Sequence, residues 1–268
     1  MTPPIYQPFT AVVLAADRTG EDPVARAAGV LCKALAPVGG QPMLFRVLDA
    51  LEASQRVNTC LLCGPPAAIV ERTPVVRQRL AVHGIVWLAP QATPSTSALS
   101  ALTSIHDGTP VLLTTADHAL LTPAMVDYFC REALTTGCDV VAALAPYALV
   151  MTHYPGMRRT RTRFSDGAFC GCNLFAFLTP ESRAAADLWR QVENERKRPL
   201  KMIGRLGWMV VLRYLLGLLS LKDALRLISE RMGLKVGAVI LPFAEAAVDV
   251  DSVSDWHFAE AIAARSAR

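Results

Sequence analysis

The sequence contains few charged and few aromatic residues. Charged residues make up 19% and aromatic residues 7% of its 268 positions, whereas 52% are hydrophobic. This balance argues against a disordered chain and allows a sizeable core. The formal net charge is only +4, which is too small to indicate binding to nucleic acid. The length fits one large domain, or one domain with an insertion.

The sequence also lacks the patterns of a targeting or membrane-spanning segment. Met1–Thr10 has neither the basic region nor the apolar stretch of a signal peptide, so we expect a cytoplasmic protein. The apolar run Leu206–Leu221 is shorter than the roughly 20 residues that a spanning helix needs, and Arg213 interrupts it. Basic residues precede this run. Three possibilities therefore stay open for residues 196–221: packing onto the core, contact with a second copy, or peripheral contact with a membrane.

Metal-binding and redox cysteine motifs are missing as well. The seven cysteines are an odd number in a chain without an export signal, which indicates reduced thiols. Cys60 and Cys63 have the CxxC spacing, but they lie in an apolar run that predicts a strand. A strand would point their sulfurs to opposite faces, and no second CxxC or histidine follows at zinc-like spacing. We expect buried free thiols.

Short apolar runs and segments of helical spacing alternate through the first half of the chain. Their order, βαβαβαβαβ, predicts the α/β class with a mainly parallel sheet. The predicted strands are Thr10–Ala16, Val57–Cys63, Ile85–Ala89, Pro110–Thr115 and Asp139–Ala145. The predicted helices are Met43–Ser54, Ala68–His83, Thr96–His106 and Thr122–Thr136.

The pattern changes after Pro146. Strands are predicted over Phe169–Phe177 and Val236–Leu241, and the segment between them is mostly helical in character. We therefore expect one domain over residues 1–268, with a helical insertion over residues 181–235.

The loop at residues 17–35 carries the first candidate site. Ligands of open α/β sheets bind at the carboxyl ends of the strands, and this loop leaves such an end. It contains Arg18, Arg26 and Lys33, and its glycines let backbone N–H groups approach a ligand. The loop matches neither GxGxxG nor GxxxxGK[ST], so it indicates neither a dinucleotide fingerprint nor a P-loop. It is nevertheless suited to holding a polyphosphate, although solvated charges on a surface loop are the alternative.

The same region, VVLAADRTG…KALAPVGGQPML, resembles the start of the nucleotidyltransferases of the MobA-like type. Their pattern is an apolar strand, Leu-Ala-Ala-Gly, a loop, a lysine and a Gly-Gly-x-Pro-Met/Leu helix entry. The resemblance implies a three-layer α/β sandwich with a mainly parallel sheet, of the nucleotide-diphospho-sugar transferase-like, Rossmann-related type. The helical insertion falls outside it. Lys33 matches the family lysine that contacts nucleotide phosphates.

The resemblance also implies an activity. It is the Mg²⁺-dependent transfer of an NMP group from an NTP to a small phosphorylated sugar, polyol, or cofactor or lipid head-group precursor, with release of pyrophosphate. Lys33, Arg26 and Asp117 are the implied catalytic residues. The implied nucleotide-binding residues are Ala15, Ala16, Asp17, Arg18, Lys33, Ser95 and Ser97. For the two serines, simple capping of the predicted helix is the alternative.

Asp17 departs from the family pattern, because glycine usually stands at this position. A carboxylate beside a triphosphate is unfavourable unless it helps to hold a cation or pairs with Arg18 or Arg26. This departure keeps a non-catalytic nucleotide-binding protein as an alternative.

Three aspartates are candidate metal ligands. Asp117 follows the predicted strand at Pro110–Thr115, where a carboxylate is costly unless it faces a ligand or a metal. Asp249 and Asp251 are two apart and would share one face of a strand. The resemblance implies Mg²⁺ at Asp117 and at this late acidic pair, with Asp251 as the better match. His118 could reach the same site or serve a structural role.

Arginines and an asparagine are candidates for binding the acceptor. Arg159, Arg161 and Arg163 alternate, so they would line one face of a strand and suit a phosphate. A solvated basic edge strand is the alternative. Asn173, in Cys-Gly-Cys-Asn, resembles the family's Gly-x-Asn segment near the acceptor.

A glycosyltransferase of similar fold is the other enzyme hypothesis. It would use a sugar nucleotide and hold a metal with an Asp-x-Asp motif after a central strand. The stretch around Asp117, TADHA, lacks the second aspartate.

Overall fold

The computed structural model describes residues 7–17, 22–157, 159–183, 185 and 213–266. Arg18, and residues 186–212 of the predicted insertion, lie outside the described residues.

The described elements follow the alternation that the sequence predicts. The strands are β1 (Phe9–Leu14), β2 (Pro37–Val38), β3 (Gln41–Pro42), β4 (Val57–Cys63), β5 (Val86–Leu88), β6 (Val111–Thr115), β7 (Val140–Pro146), β8 (Thr162–Phe164), β9 (Gly167–Phe177) and β10 (Val236–Ile240). The helices are α1 (Pro23–Ala28), α2 (Met43–Glu52), α3 (Ala67–Arg72), α4 (Pro74–Val82), α5 (Pro94–Ser104), α6 (Pro123–Thr135), α7 (Tyr147–His153), α8 (Leu221–Met232) and α9 (Val253–Ser266).

Eight of these strands form one mixed sheet with helices on both faces. Its order is β10-β7-β9-β6-β1-β4-β5, and β8 pairs with β9 beside this path. Strand β9 runs antiparallel to β6 and β7, whereas the other pairs along the path are parallel. The predicted α/β fold with a mainly parallel sheet is thus confirmed.

The strand register brings distant residues to one edge of the sheet. In β1, Leu14 lies opposite Cys63 of β4 on one side and Thr115 of β6 on the other. The chain therefore leaves three parallel strands at the same level, which is where open α/β sheets bind ligands. The loop after β1 and the segment around Asp117 both continue from this edge.

Both faces of the sheet are covered. Val12 and Val13 are neighbours in β1, so their side chains point to opposite faces, and both are 0% exposed. They belong to two separate apolar clusters, one on each face. Cys60 and Cys63 are divided between the clusters in the same way, which confirms that their thiols point apart. Burial raises the pKa of Cys60 to about 12, so this thiol is protonated and inert near pH 7.

One predicted helix is divided in two. The sequence predicts a continuous helix over Ala68–His83, but α3 ends at Arg72 and α4 begins at Pro74. The residue between them, Thr73, has φ −122° and ψ 84°, outside the helical region. Proline has no N–H to donate and disfavours a helical conformation in the residue before it.

The described part of the predicted insertion consists mainly of α8, which packs beside β10. No helix in the described ranges is long and apolar enough to cross a membrane.

Candidate active site

A cleft of about 490 Å³ opens at the carboxyl edge of β1 and β6. Its main wall segments lie at residues 14–17, between residues 91 and 97, between residues 113 and 117, between residues 173 and 175, and between residues 249 and 251. Asp22, Ala34 and Cys63 contribute to the wall as well. Lys33 also lines the cleft, and it is the only cationic side chain among the described residues that do so.

Lys33 lies between two carboxylates. Its Nζ donates a hydrogen bond to Oδ2 of Asp117 at 2.6 Å and another to the carbonyl oxygen of Val250 at 3.0 Å. Oδ1 of Asp251 is 3.7 Å from the same nitrogen. Burial lowers the pKa of Lys33, but the charge and hydrogen bond of Asp117 outweigh it and hold the pKa above its usual value. The Lys33 side chain is therefore positively charged at neutral pH.

Asp117 is held from both sides at the end of β6. The hydroxyl of Thr115 donates to its Oδ1, and the N–H of Val250 donates to its main-chain carbonyl at 3.1 Å. Burial raises the pKa of Asp117, whereas Lys33 and Thr115 lower it, and the net result lies below the usual value. Asp117 is thus an oriented carboxylate that stays ionised at neutral pH.

Asp249 and Asp251 lie in the segment before α9, which is not part of a strand. Both nevertheless line the cleft, and the side chain of Val250 between them is fully buried. The guanidinium of Arg159 and Nδ2 of Asn173, the latter at 3.0 Å, donate to the carboxylate of Asp249. Burial raises the pKa of Asp249, and the contact with Arg159 only partly opposes that effect.

The three arginines expected on one strand face are separated. Strand β8 covers only Thr162–Phe164, so Arg159 and Arg161 precede it. Arg159 pairs with Asp249, the Arg161 guanidinium lies 5.0 Å from the ring centroid of Tyr147, and Arg163 is exposed. The alternation would place the three arginines on one face only if all of them lay on a strand, and here only Arg163 does. Of the four acceptor candidates, Asn173 alone lines the cleft within the described residues.

Asp17 faces the backbone of the lysine. Its carboxylate oxygens accept the main-chain N–H of Lys33 at 3.2 and 3.1 Å. Burial raises the pKa of Asp17, and this hydrogen bond offsets only part of the rise. Arg26, in the last turn of α1, is exposed and lies outside the cleft lining, so it does not pair with Asp17 as the sequence allowed.

The beginning of α5 forms the opposite wall. Ser97 lines the cleft, and its Oγ accepts the N–H of Gln91 at 2.9 Å. Ser95 is fully buried and hydrogen-bonded to the hydroxyl of Thr93, outside the lining. Thr93 caps the helix in a reciprocal box with Thr96.

Sequence reasoning missed Thr93, Gln91 and Thr115 as parts of this site. Two of them had a local signal. Thr93 is followed directly by proline and, two positions after that, by a second threonine, a typical beginning of a helix. Thr115 lies two residues before Asp117 at the end of a strand, where side chains two apart share a face. Gln91 had no such signal.

His118 does not reach the cleft. It is fully buried, and burial lowers its pKa to about 4, so its imidazole is neutral at pH 7. A structural role fits this position.

The cleft offers oxygen ligands to a cation but no complete cage. In the described part of the chain, no group of three or more His, Cys, Asp or Glu side chains lies close enough to hold a metal ion alone. Mg²⁺ needs only one or two carboxylates when substrate phosphates supply further oxygens. Asp117, Asp249 and Asp251 fit that donor chemistry.

The family assignment agrees with this geometry. A model of the MobA-like NTP transferase domain matches residues 11–165, more than half of the 268 residues. The chain belongs to the MobA-like NTP transferase family. This MobA-like chain is accordingly a nucleotidyltransferase. The matched span includes Lys33 and Asp117 and ends before Asn173 and the late acidic pair.

Solved structures place the MobA-like chain among related folds. A hypothetical transferase from Thermus thermophilus is 29% identical, with a TM-score of 0.77, over 93% of this chain and 100% of that one. A CMP:2-keto-3-deoxy-manno-octonic acid synthetase complexed with CTP is 11% identical, with a TM-score of 0.57, over 96% and 99%. A 2-C-methyl-D-erythritol 4-phosphate cytidylyltransferase, also from Thermus thermophilus, is 18% identical, with a TM-score of 0.53, over 94% and 98%. At 11% and 18% identity the likeness concerns the fold alone. No curated protein sequence matches the chain.

Proposed function

We propose that this nucleotidyltransferase moves an NMP group from an NTP to a small phosphorylated acceptor and releases pyrophosphate. The acceptor would be a sugar, a polyol, or a precursor of a cofactor or lipid head group. The observation that carries the proposal is the meeting of Lys33, Asp117 and Asp251 in one cleft, although they lie far apart in the sequence.

The reaction needs no covalent intermediate on the protein. An oxygen of the acceptor phosphate forms a bond to the α-phosphorus of the NTP. The bond between the α-phosphorus and the bridging oxygen breaks, and its electron pair leaves with pyrophosphate. The protein must align two anions and neutralise the charge that they bring together. Lys33 is the cation available in the described cleft for that purpose, and Ala15, Ala16 and Ser97 shape the nucleotide side.

Mg²⁺ is the cation that the donor set suits. Asp117 and Asp251 would hold it together with phosphate oxygens, and Asp249 would lie next to them. When bound, the ion supplies positive charge to the transferred group. Thr115 orients Asp117 for this role through its hydroxyl, and Arg159 and Asn173 orient Asp249.

The acceptor side is proposed at the end of the cleft where Asn173 lies. Arg159 is paired with Asp249, so Arg161 and Arg163 are the exposed arginines among the described residues of the neighbouring segment. The solved relatives support a phosphorylated acceptor only by analogy, since one of them is named for 2-C-methyl-D-erythritol 4-phosphate.

The Asp117→Asn variant tests the proposal. It keeps the shape and one acceptor oxygen but removes the charge, so pyrophosphate release should fall at least about 100-fold, the order of losing one key electrostatic group. Asp107→Asn is the matched control, because Asp107 is an exposed aspartate paired with Arg183 away from the cleft. Full turnover by Asp117→Asn would show that the metal assignment is wrong.

The nucleobase can be identified by thermal stability. A ligand that binds only the native state raises the stability by RT ln(1 + [L]/Kd), about 2.7 kcal/mol at 100-fold excess over Kd. We expect one of CTP, UTP, GTP and ATP with Mg²⁺ to raise the melting temperature more than the others. CTP goes first, because two structural relatives are named for cytidine nucleotides. Equal shifts with all four would contradict a base-selective site.

A contact with a second copy or a membrane surface remains a proposal for residues 196–221. Residues 196–212 lie outside the described residues. The remaining end exposes Leu215, Leu216 and Leu218, which is what supports such a contact. Gel filtration and sedimentation with anionic vesicles would distinguish the two partners.

A further inference from the structure

The cleft contains more negative than positive charge. Its described lining includes five carboxylates against the single ammonium of Lys33; the carboxylates belong to Asp17, Asp22, Asp117, Asp249 and Asp251. Asp249 is neutralised from outside the lining by Arg159. Among the described residues, Lys33 is therefore the main counter-charge for the remaining four.

The surroundings of the Lys33 ammonium resemble those of a small cation. Three oxygens from two different segments approach it: Asp117 Oδ2 at 2.6 Å, the Val250 carbonyl oxygen at 3.0 Å and Asp251 Oδ1 at 3.7 Å. Two of these belong to the carboxylates proposed above as metal ligands. Carboxylate and carbonyl oxygens are the donors that hard divalent cations also prefer.

The lysine is also fixed at its other end. The carboxylate of Asp17 holds its main-chain N–H, and the lysine begins a one-turn helix over Lys33–Leu35. The backbone is thus anchored, and the flexible four-carbon stem is the part that can move the charge. A movement of the ammonium needs only side-chain rotation.

We infer that Lys33 is a built-in counter-ion that excludes a divalent cation from Asp117 and Asp251 until nucleotide phosphates draw the ammonium away. A divalent cation and an ammonium that contact the same carboxylate lie close to each other, and in a partly buried site their positive charges repel strongly. Incoming phosphates reverse the balance, because they offer the ammonium new partners and leave both carboxylates to the metal. Metal and nucleotide then bind with positive coupling, and the metal alone binds weakly. The inference rests on the metal ligands of the proposed function.

Mn²⁺ binding without nucleotide tests the inference. Free Mn²⁺ would be measured by electron paramagnetic resonance, and heats by titration calorimetry. We expect Lys33→Gln and Lys33→Met to bind Mn²⁺ at least tenfold more tightly than the wild type. Lys33→Gln keeps a hydrogen-bond donor for Asp117 and Val250, so it provides the result if Lys33→Met does not fold.

Two further variants separate charge from shape. Lys33→Arg keeps the positive charge and should bind Mn²⁺ as weakly as the wild type. Lys33→Gln combined with Asp117→Asn should bind Mn²⁺ less tightly than Lys33→Gln alone, which would show that the tighter binding depends on the Asp117 carboxylate. Lys222→Met is the matched control, since Lys222 is an exposed lysine on α8 outside the cleft.

If the wild type binds Mn²⁺ as tightly as both neutral Lys33 variants do, the inference is overturned. These results are independent of turnover. Tighter Mn²⁺ binding in Lys33→Gln, with no pyrophosphate release by the wild type from any NTP, would support the counter-ion and contradict the proposed reaction.

Discussion

At the scale of single residues, Asp17 is the least expected feature of the cleft. The family resemblance leads us to expect glycine at this position, yet the Asp17 carboxylate has a definite partner in the main-chain N–H of Lys33. Burial and the nearby charges of Asp22 and Asp117 raise its pKa, so the charged form is disfavoured in the folded state. The hydrogen bond therefore coexists with an electrostatic cost.

We expect Asp17→Asn to raise the melting temperature at pH 7. The pKa of Asp17 in the folded state lies above the ordinary value of 3.8, so the native state binds the proton more readily than the unfolded state. The protein therefore loses stability as the pH rises from 3.8 through the folded-state pKa. Asparagine keeps an oxygen for the Lys33 N–H and carries no charge. The gain should shrink as pH falls toward 3.8 and below, when the wild-type carboxyl is protonated in both states.

Differential scanning fluorimetry over this pH range measures the effect. Asp107→Asn, at an exposed position, should show no comparable gain. A lower melting temperature of Asp17→Asn at pH 7 would show that the charged hydrogen bond outweighs the burial of the carboxylate.

At the scale of elements, the cleft depends on where helices and strands begin and end. The register of β1 against β4 and β6 sets the level at which Asp17 and Asp117 leave the sheet. On the other wall, the reciprocal hydrogen bonds of Thr93 and Thr96 determine where α5 begins, and Ser97 follows one residue later. Capping at this helix thus shapes the proposed nucleotide side.

We expect Thr93→Ala to destabilise the protein by about 1 kcal/mol, the typical cost of losing an N-cap side chain. Urea unfolding would measure this loss, provided that the slope of the unfolding free energy against urea concentration is the same in both proteins. Thr103→Ala, on the exposed face of the same helix, is the control, because its hydroxyl bonds only to helix carbonyls that already accept within the helix. Equal losses in both variants would contradict a specific role of the cap.

At the scale of the whole molecule, the sheet separates two apolar layers. Neighbouring residues of β1 point into different layers and are equally buried, as expected of a central parallel strand covered on both faces. The single antiparallel strand along the described sheet path, β9, brings Asn173 to the same edge as the parallel strands. Strand β9 thereby places a late segment of the chain beside β6, at the edge of the sheet where the cleft opens.

We expect Val12→Ala and Val13→Ala to cost about 2 kcal/mol each, the lost burial of two methyl groups plus the cavity that remains. Val82→Ala should change stability by less than about 0.5 kcal/mol, since Val82 is 70% exposed. Equilibrium unfolding measures all three. A negligible loss in either buried variant would show that one face of the sheet is not packed.

The sequence by itself determined the pattern of strands and helices, the α/β class and the candidate acids, because hydrophobic period, proline and glycine act within a few residues. Only the tertiary structure decided how the charges pair. Lys33 meets Asp117 and Val250 at separations of 84 and 217 residues, and Arg159 meets Asp249 across 90. Such contacts depend on strand order and register, which no local pattern contains, so an arginine that reads as an anchor for phosphate instead holds an aspartate.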